Sequence, residues 1–175
     1  MLQELKCVED KFPYEAIESA GYHAIVLGQK PYNGVAILSK IPLDRVSTGM
    51  GRFYEDEAAR VIQGQLGQTT LVCCYVPNGQ EVGSEKFAYK MKWLEGFKRL
   101  IQDSIEKDRS LIVAGDFNIA PEDKDVHDPF VWKDKILCSK EERSYFNQLL
   151  ELGLCDTFRK HHADSGLFSW RSEEH

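Results

Sequence analysis

The 175-residue chain lacks several features, and each absence removes a class of function. No apolar run approaches the ~20 residues that a membrane helix needs. The opening MLQELKCVED has neither a basic n-region nor an apolar h-region, so no secretory signal is read there. Cysteine is sparse: five residues, an odd count, with no CxxC spacing. A disulfide framework and a zinc knuckle are both unexpected, and the thiols read as reduced packing residues of a cytoplasmic protein. Positive charge is in deficit, with 22 Lys and Arg against 28 Asp and Glu, a net charge of −6. A broad nucleic-acid binder usually shows a basic footprint. An enzyme that grips phosphate locally, with a metal and a few cations, is still allowed. The histidines of VHDP (126–129) and the pair His161-His162 have neither i, i+4 spacing nor cysteine partners, so they read as loop residues.

What is present is an ordinary globular composition, 42% hydrophobic and 29% charged, sized for a single domain with a sizeable core. There is no repeat, linker or low-complexity segment. Four segments read as strands: 22–28 and 34–40, short and Gly-flanked, then 59–67 and 69–77, a hairpin turning near Gly67. Residues 84–107 predict a helix, with Ser84 as N-cap and Phe87, Met91, Leu94, Ile101 and Ile105 forming its apolar stripe. Lys86, Lys90, Lys92, Lys98 and Arg99 on this helix read as a solvated face. A strand over 111–117 follows, and then a helix over 140–152 that starts near Ser139 and stops at Gly153. Antiparallel pairing followed by a helical crossover predicts an α/β fold with a mixed sheet, its apolar strands covered on both faces.

The segment LIVAGDFNIAP (111–121) runs an apolar strand into Asp116 and Asn118. Asp and Asn at a strand end can be plain turn residues. If the strand continues through Phe117, however, both project to one side. They would then offer a carboxylate and an amide oxygen to a hard cation such as Mg²⁺. YVPNG (75–79) ends another strand, where Tyr75 can be a surface aromatic and Asn78-Gly79 simply a turn. One crossover helix links the two strands. If they are parallel and close, Tyr75 and Asp116 share the sheet edge where α/β proteins place ligands. Glu4, in LQELK, says nothing on local grounds.

Together, LQELK, GVAILSK, YVPNG, GDFNIAP, EER and LGLCDTFR…FSW, in that order, make the chain resemble the exonuclease III family of DNA-repair nucleases, within the endonuclease/exonuclease/phosphatase superfamily. The resemblance runs from Leu2 to about Trp170. It implies a four-layered αββα sandwich of the DNase I type, two mixed sheets face to face with helices outside. It implies a Mg²⁺ cofactor, with Mn²⁺ as an alternative, bound by Glu4, Asp116 and Asn118. By the same resemblance Tyr75 lies near the scissile phosphate and Asn78 and Asn118 contact it. Asp116 positions or activates the attacking water and then serves the leaving oxygen. The implied substrate is double-stranded DNA with abasic sites or 3′ ends, and the implied activities are 3′-to-5′ exonuclease and apurinic/apyrimidinic endonuclease. No membrane partner is expected, and the full-length parent is expected to be monomeric.

The chain departs from the family pattern at both ends. Family members start with a strand carrying an asparagine upstream of LQE, and they continue past FSW to a further aspartate and a Ser-Asp-His-like motif. The terminal RSEEH does not match that motif, so His175 is given no role. The sequence therefore resembles an internal fragment of the domain, with an inner strand expected to lie at an exposed edge. Two other readings stand beside the nuclease: a phosphatase of the same superfamily acting on a small phosphorylated substrate, and an inactive remnant.

Overall fold

The computed structural model describes residues 1–107 and 110–168. In chain order the elements are β1 (Leu2–Gln3), α1 (Tyr14–Ser19), β2 (His23–Leu27), β3 (Val35–Ser39), β4 (Asp44–Thr48), β5 (Val61–Leu66) and β6 (Thr69–Tyr75). They continue with α2 (Glu85–Lys107), β7 (Ser110–Asp116), α3 (Pro129–Trp132), α4 (Lys140–Glu151) and α5 (Thr157–His161). The chain divides into two compact units, residues 1–76 with 99–117 and residues 77–98 with 118–175. Among the described residues no helix is long and apolar enough to cross a membrane.

The first unit holds both sheets. One has the order β1-β3-β2 and is antiparallel throughout; the other, β4-β5-β6-β7, is mixed, with β6 and β7 parallel. The hairpin of β5 and β6 turns at Gly67-Gln68, where Gly67 takes φ +59°. The sheets face each other through Val35 and Ile37 of one and Ile62, Leu71 and Cys73 of the other. Each large aliphatic buried there contributes roughly 1.5–3 kcal/mol. Gln3 Nε2 donates to Cys73 Sγ at 3.4 Å, and that thiol lies 3.4 Å from the Leu2 carbonyl oxygen, so β1 is tied across to β6.

The expectation that the strand after α2 is covered on both faces is corrected. β7 ends its sheet, pairing among the described residues with β6, and Ile112 is 50% exposed. An apolar run reports that a strand is hydrophobic, not that neighbours exist to cover it. β7 therefore lies at the edge of its sheet among the described residues.

The second unit is built on the N-terminal part of α2, on α3 to α5 and on the loops between them. Ser84 caps α2, its Oγ accepting from Phe87 N at 3.1 Å. Trp93 and Phe97 stack with ring centroids 5.0 Å apart, both fully buried. Ala120, Val126, Leu137 and Cys138 form a smaller apolar cluster. Ser139 caps α4 as expected and exchanges reciprocal hydrogen bonds with Glu142. Gly153 follows the helix at φ +103°.

Candidate active site

The residues singled out from sequence fall in both units. Glu4, Tyr75 and Asp116 lie in the first, Asn78 and Asn118 in the second.

In the first unit, β6 and β7 run parallel with Tyr75 opposite Asp116, each the last residue of its strand. This is the juxtaposition at the carboxyl edge that parallel strands joined by one crossover helix should produce. Beyond the strands, Val76 N donates to the Asp116 carbonyl at 2.9 Å and holds the ends in register. Gly115 permits the approach. It has φ +154°, and a Cβ there would lie 1.9 Å from the Cys74 carbonyl oxygen. The Gly of GDFN is thus a packing requirement one residue before the carboxylate.

Glu4 arrives from the other sheet. After β1 the chain turns through Glu4 at φ +53° and Lys6 at φ +51°. Leu5 N and Lys6 N bond the carbonyls of Gly34 and Asn33 at 3.3 and 3.0 Å. Because β1 is anchored on Cys73, two residues before Tyr75, the Tyr75 hydroxyl reaches Glu4 Oε1 at 3.1 Å. Lys6 Nζ lies 2.8 Å from Glu4 Oε2, and the Glu4 side chain is 44% exposed. The Lys6 hydrogen bond above all, with smaller help from Tyr75 and Arg60, outweighs partial burial and holds the Glu4 carboxyl below its ordinary value. Burial, and then the Glu4 charge, push the Tyr75 hydroxyl up, so it stays a protonated donor at neutral pH.

Sequence reading missed Arg60. Its guanidinium carbon sits 4.8 Å from the centre of the Tyr75 ring, and its Nη1 donates to the Tyr75 carbonyl at 3.2 Å. Among the described residues its buried Nε has no hydrogen-bond partner. The side chain fixes the tyrosine from the face of its ring and adds positive charge. A single Arg before a strand carries no local signal of this.

In the second unit, Asn78 Nδ2 reaches Asn118 Oδ1 at 3.5 Å, while Asn78 Oδ1 accepts from Gln80 N at 3.0 Å. The strand argument for Asn118 is corrected: β7 stops at Asp116 and Asn118 is left-handed, φ +48°. Strand alternation therefore does not orient it. The solvated reading of Lys90 is also corrected. Lys90 and Glu142 are both 0% exposed, and they form an ion pair. Lys86, Lys92 and Arg99 on the same helix are exposed, as expected of a charged run. Lys90 follows Lys86 by one turn and is covered by the loops at Asn78 and Asn118 and by Glu142.

The cysteines behave as packing residues where buried: burial pushes the Cys73, Cys74 and Cys138 thiols up, Cys74 furthest. Among the described residues no three His, Cys, Asp or Glu converge to hold a metal. Trp170, the last residue of the FSW match, and His175 lie outside the described residues.

Residues 1–163 match the endonuclease/exonuclease/phosphatase family model. The chain is 33% identical over 181 residues to exodeoxyribonuclease III of Haemophilus influenzae, covering 97% of this chain and 68% of that protein. It is 32% identical over 167 residues to the DNA repair nuclease APEX1 of Danio rerio, covering 93% of this chain and 53% of that one. A solved 3′ phosphatase from Neisseria, bound to a product DNA hairpin, superposes with TM-score 0.95 at 38% identity, over 99% of this chain and 67% of its own. The chain thus spans between about half and two thirds of these relatives. Likeness this close also bears out the DNase I-like α/β fold. With the family's model matched over nearly the whole length and the two sheets facing each other, the chain belongs to the endonuclease/exonuclease/phosphatase family.

Proposed function

We propose that the chain carries the phosphodiester-hydrolysing centre of a Mg²⁺-dependent DNA-repair nuclease, acting on duplex DNA at 3′ ends and abasic sites. The observation that carries this reading is the Tyr75–Asp116 register pair at the carboxyl edge of two parallel strands, with the Glu4 carboxylate hydrogen-bonded to the Tyr75 hydroxyl. The relatives in exodeoxyribonuclease III and APEX1 support it.

The donor chemistry fits a hard cation. Within the first unit Glu4 and Asp116 offer carboxylate oxygens, with no thiolate or imidazole between them. Mg²⁺ is commonly held by one or two carboxylates with water and substrate phosphate, so a larger protein cage is not required. Bound here, the ion would neutralise phosphoryl charge and stabilise the leaving oxygen. The chain's own residues do the rest. Glu4, kept ionised, is ready to ligate at neutral pH. Asp116 accepts a proton from the attacking water and aims it at phosphorus. The protonated Tyr75 hydroxyl donates to a phosphoryl oxygen where negative charge develops. In the second unit the Asn78 and Asn118 amides, 3.5 Å apart, serve as phosphate contacts.

The test is incision of an abasic-site duplex by the purified chain, with Mg²⁺ and with chelator, beside Asp116→Ala. Incision that needs both the metal and Asp116 is expected. A folded, monodisperse sample that makes no cut overturns the assignment for this chain. A second reading, removal of phosphate from DNA 3′ ends, is favoured by the likeness to the Neisseria 3′ phosphatase. A duplex ending in 3′-phosphate, and a phosphorylated small molecule, run in the same assay separate the two phosphatase possibilities from endonuclease action.

A further inference from the structure

We infer that the buried Lys90 is a positioning residue that sets the two phosphate-contacting asparagines, Asn78 and Asn118, by holding their main chains, with Glu142 as its counter-charge. The inference rests on the phosphate-binding role proposed above for those amides.

The Lys90 ammonium donates to three oxygens: the Asn78 carbonyl at 3.0 Å, the Asn118 carbonyl at 2.6 Å and a Glu142 carboxylate oxygen. The first two belong to loops 40 residues apart in sequence, one following β6 and the other following β7. A single tetrahedral ammonium thus fixes both loops, with the asparagine side chains turned towards each other. Glu142 is held in turn. Its Oε1 accepts from Leu137 N at 3.1 Å, and its Oε2 accepts from Ser139 N at 3.1 Å and Ser139 Oγ at 2.6 Å. The carboxylate that closes the α4 capping box is therefore also the counter-charge of the lysine. Gly79 completes the fit: at φ +90°, a Cβ there would press the Lys90 Cδ at 3.0 Å and Ile136 Cδ1 at 2.9 Å. Burying a charged pair does not in itself favour folding over an apolar pair of the same volume. What an apolar pair could not do is donate to two loop carbonyls. Through these two carbonyl contacts Lys90 acts on the backbones of the asparagines.

The test compares Lys90→Met with Glu142→Gln in the 175-residue chain. Lys90→Met removes both carbonyl donors. Glu142→Gln also breaks the ion pair but leaves Lys90 its N–H groups on both carbonyls. Melting temperatures are measured first, and abasic-duplex cleavage is then assayed at an equal interval below each. Lys90→Met should lose about 10²-fold in kcat with KM within about threefold, the scale of a displaced reacting geometry. Glu142→Gln should stay within about threefold of wild type despite its lowered melting temperature. A purely structural role predicts equal kcat for both, and that result overturns the inference. The side-chain amide resonances of Asn78 and Asn118 give a second readout that needs no turnover. They should shift and broaden in Lys90→Met and stay in place in Glu142→Gln, and unchanged amides in Lys90→Met overturn the inference. If the wild-type chain makes no cut, the nuclease reading falls while the amide spectra still decide whether Lys90 holds the loops. Should Lys90→Met not fold, Lys90→Arg takes its place. It keeps the charge against Glu142, but a longer planar guanidinium in a site where Lys90 is fully enclosed must displace the two carbonyls that the compact ammonium holds, and kcat should still fall more than about tenfold.

Discussion

Tyr75→Phe separates what the hydroxyl does for folding from what it does for chemistry. The substitution deletes one oxygen. The ring keeps its place, since Arg60 still lies over its face at 4.8 Å and still bonds the residue 75 carbonyl at 3.2 Å. The lost interaction is the 3.1 Å hydrogen bond to Glu4 Oε1. A hydrogen bond to a charged group contributes about 1.5–3 kcal/mol when well buried. Here the carboxylate side chain is 44% exposed and water replaces the donor, so the loss should stay below about 1 kcal/mol. For a chain of this length that is a fall in Tm of at most about 4 °C. If the same hydroxyl donates to the phosphoryl oxygen in the transition state, its removal should cost about 10²–10³-fold in kcat, the figure for one preorganised donor. Catalysis should therefore fall by several times the free energy lost from folding. Thermal unfolding and steady-state cleavage of an abasic duplex, measured on one preparation, read both quantities. A kcat within about threefold of wild type would refute the proposed role of the hydroxyl. A Tm drop well beyond 4 °C would show that the Glu4 contact is structural.

The ionisation of Glu4 gives a pH dependence of definite sign. Its folded carboxyl lies below the ordinary 4.5, so the stability it contributes is present above that value and is lost as pH falls through the depressed one. Comparing urea midpoints at pH 7 and pH 3 should show a smaller acid loss in Glu4→Gln than in wild type, and equal slopes would count against the Lys6 and Tyr75 contacts. Gly115→Ala puts a Cβ 1.9 Å from the Cys74 carbonyl, backbone against backbone with no flexible side chain to yield. It should cost more than about 4 kcal/mol or abolish folding, read as soluble yield and urea midpoint, and a variant with the wild-type midpoint would show that β6 and β7 are not held this close.

Much of this protein is local and was legible as such. Strand and helix positions followed from apolar periodicity, and the ends of β2, β3, β5 and β6 and of α2 and α4 fall within a residue or two of the positions it predicts. Ser84, Ser139 and Gly153 mark helix ends through backbone groups a few residues away, so their meaning is carried by neighbouring residues. The parallel pairing of Tyr75 with Asp116 was a conditional inference from one crossover helix, and the sheet satisfies the condition.

Other features were not local. Glu4 meets Tyr75, 71 residues away, because β1 is paired with β3, its following turn is held by Gly34 and Asn33, and it is tied to the thiol of Cys73 in the opposite sheet. Lys90 looked like one more cation on a charged helix. Its burial depends on which face of α2 the loops at Asn78 and Asn118 cover, and on Glu142 arriving 52 residues later to balance its charge. Ile112 looked like a core residue and is half exposed, because coverage is a property of neighbours and not of the strand itself. The sequence by itself determined β2, β3, β5, β6, β7, α2 and α4 and the caps of the two longer helices, since these depend on residues within a turn or a strand of one another, whereas the short β1, α1, β4, α3 and α5 carried no periodic signal to read. Which charges are buried, which carboxylate meets which hydroxyl and which strand lies at the edge were decided by tertiary structure, because each depends on the dielectric and the partners that distant segments bring.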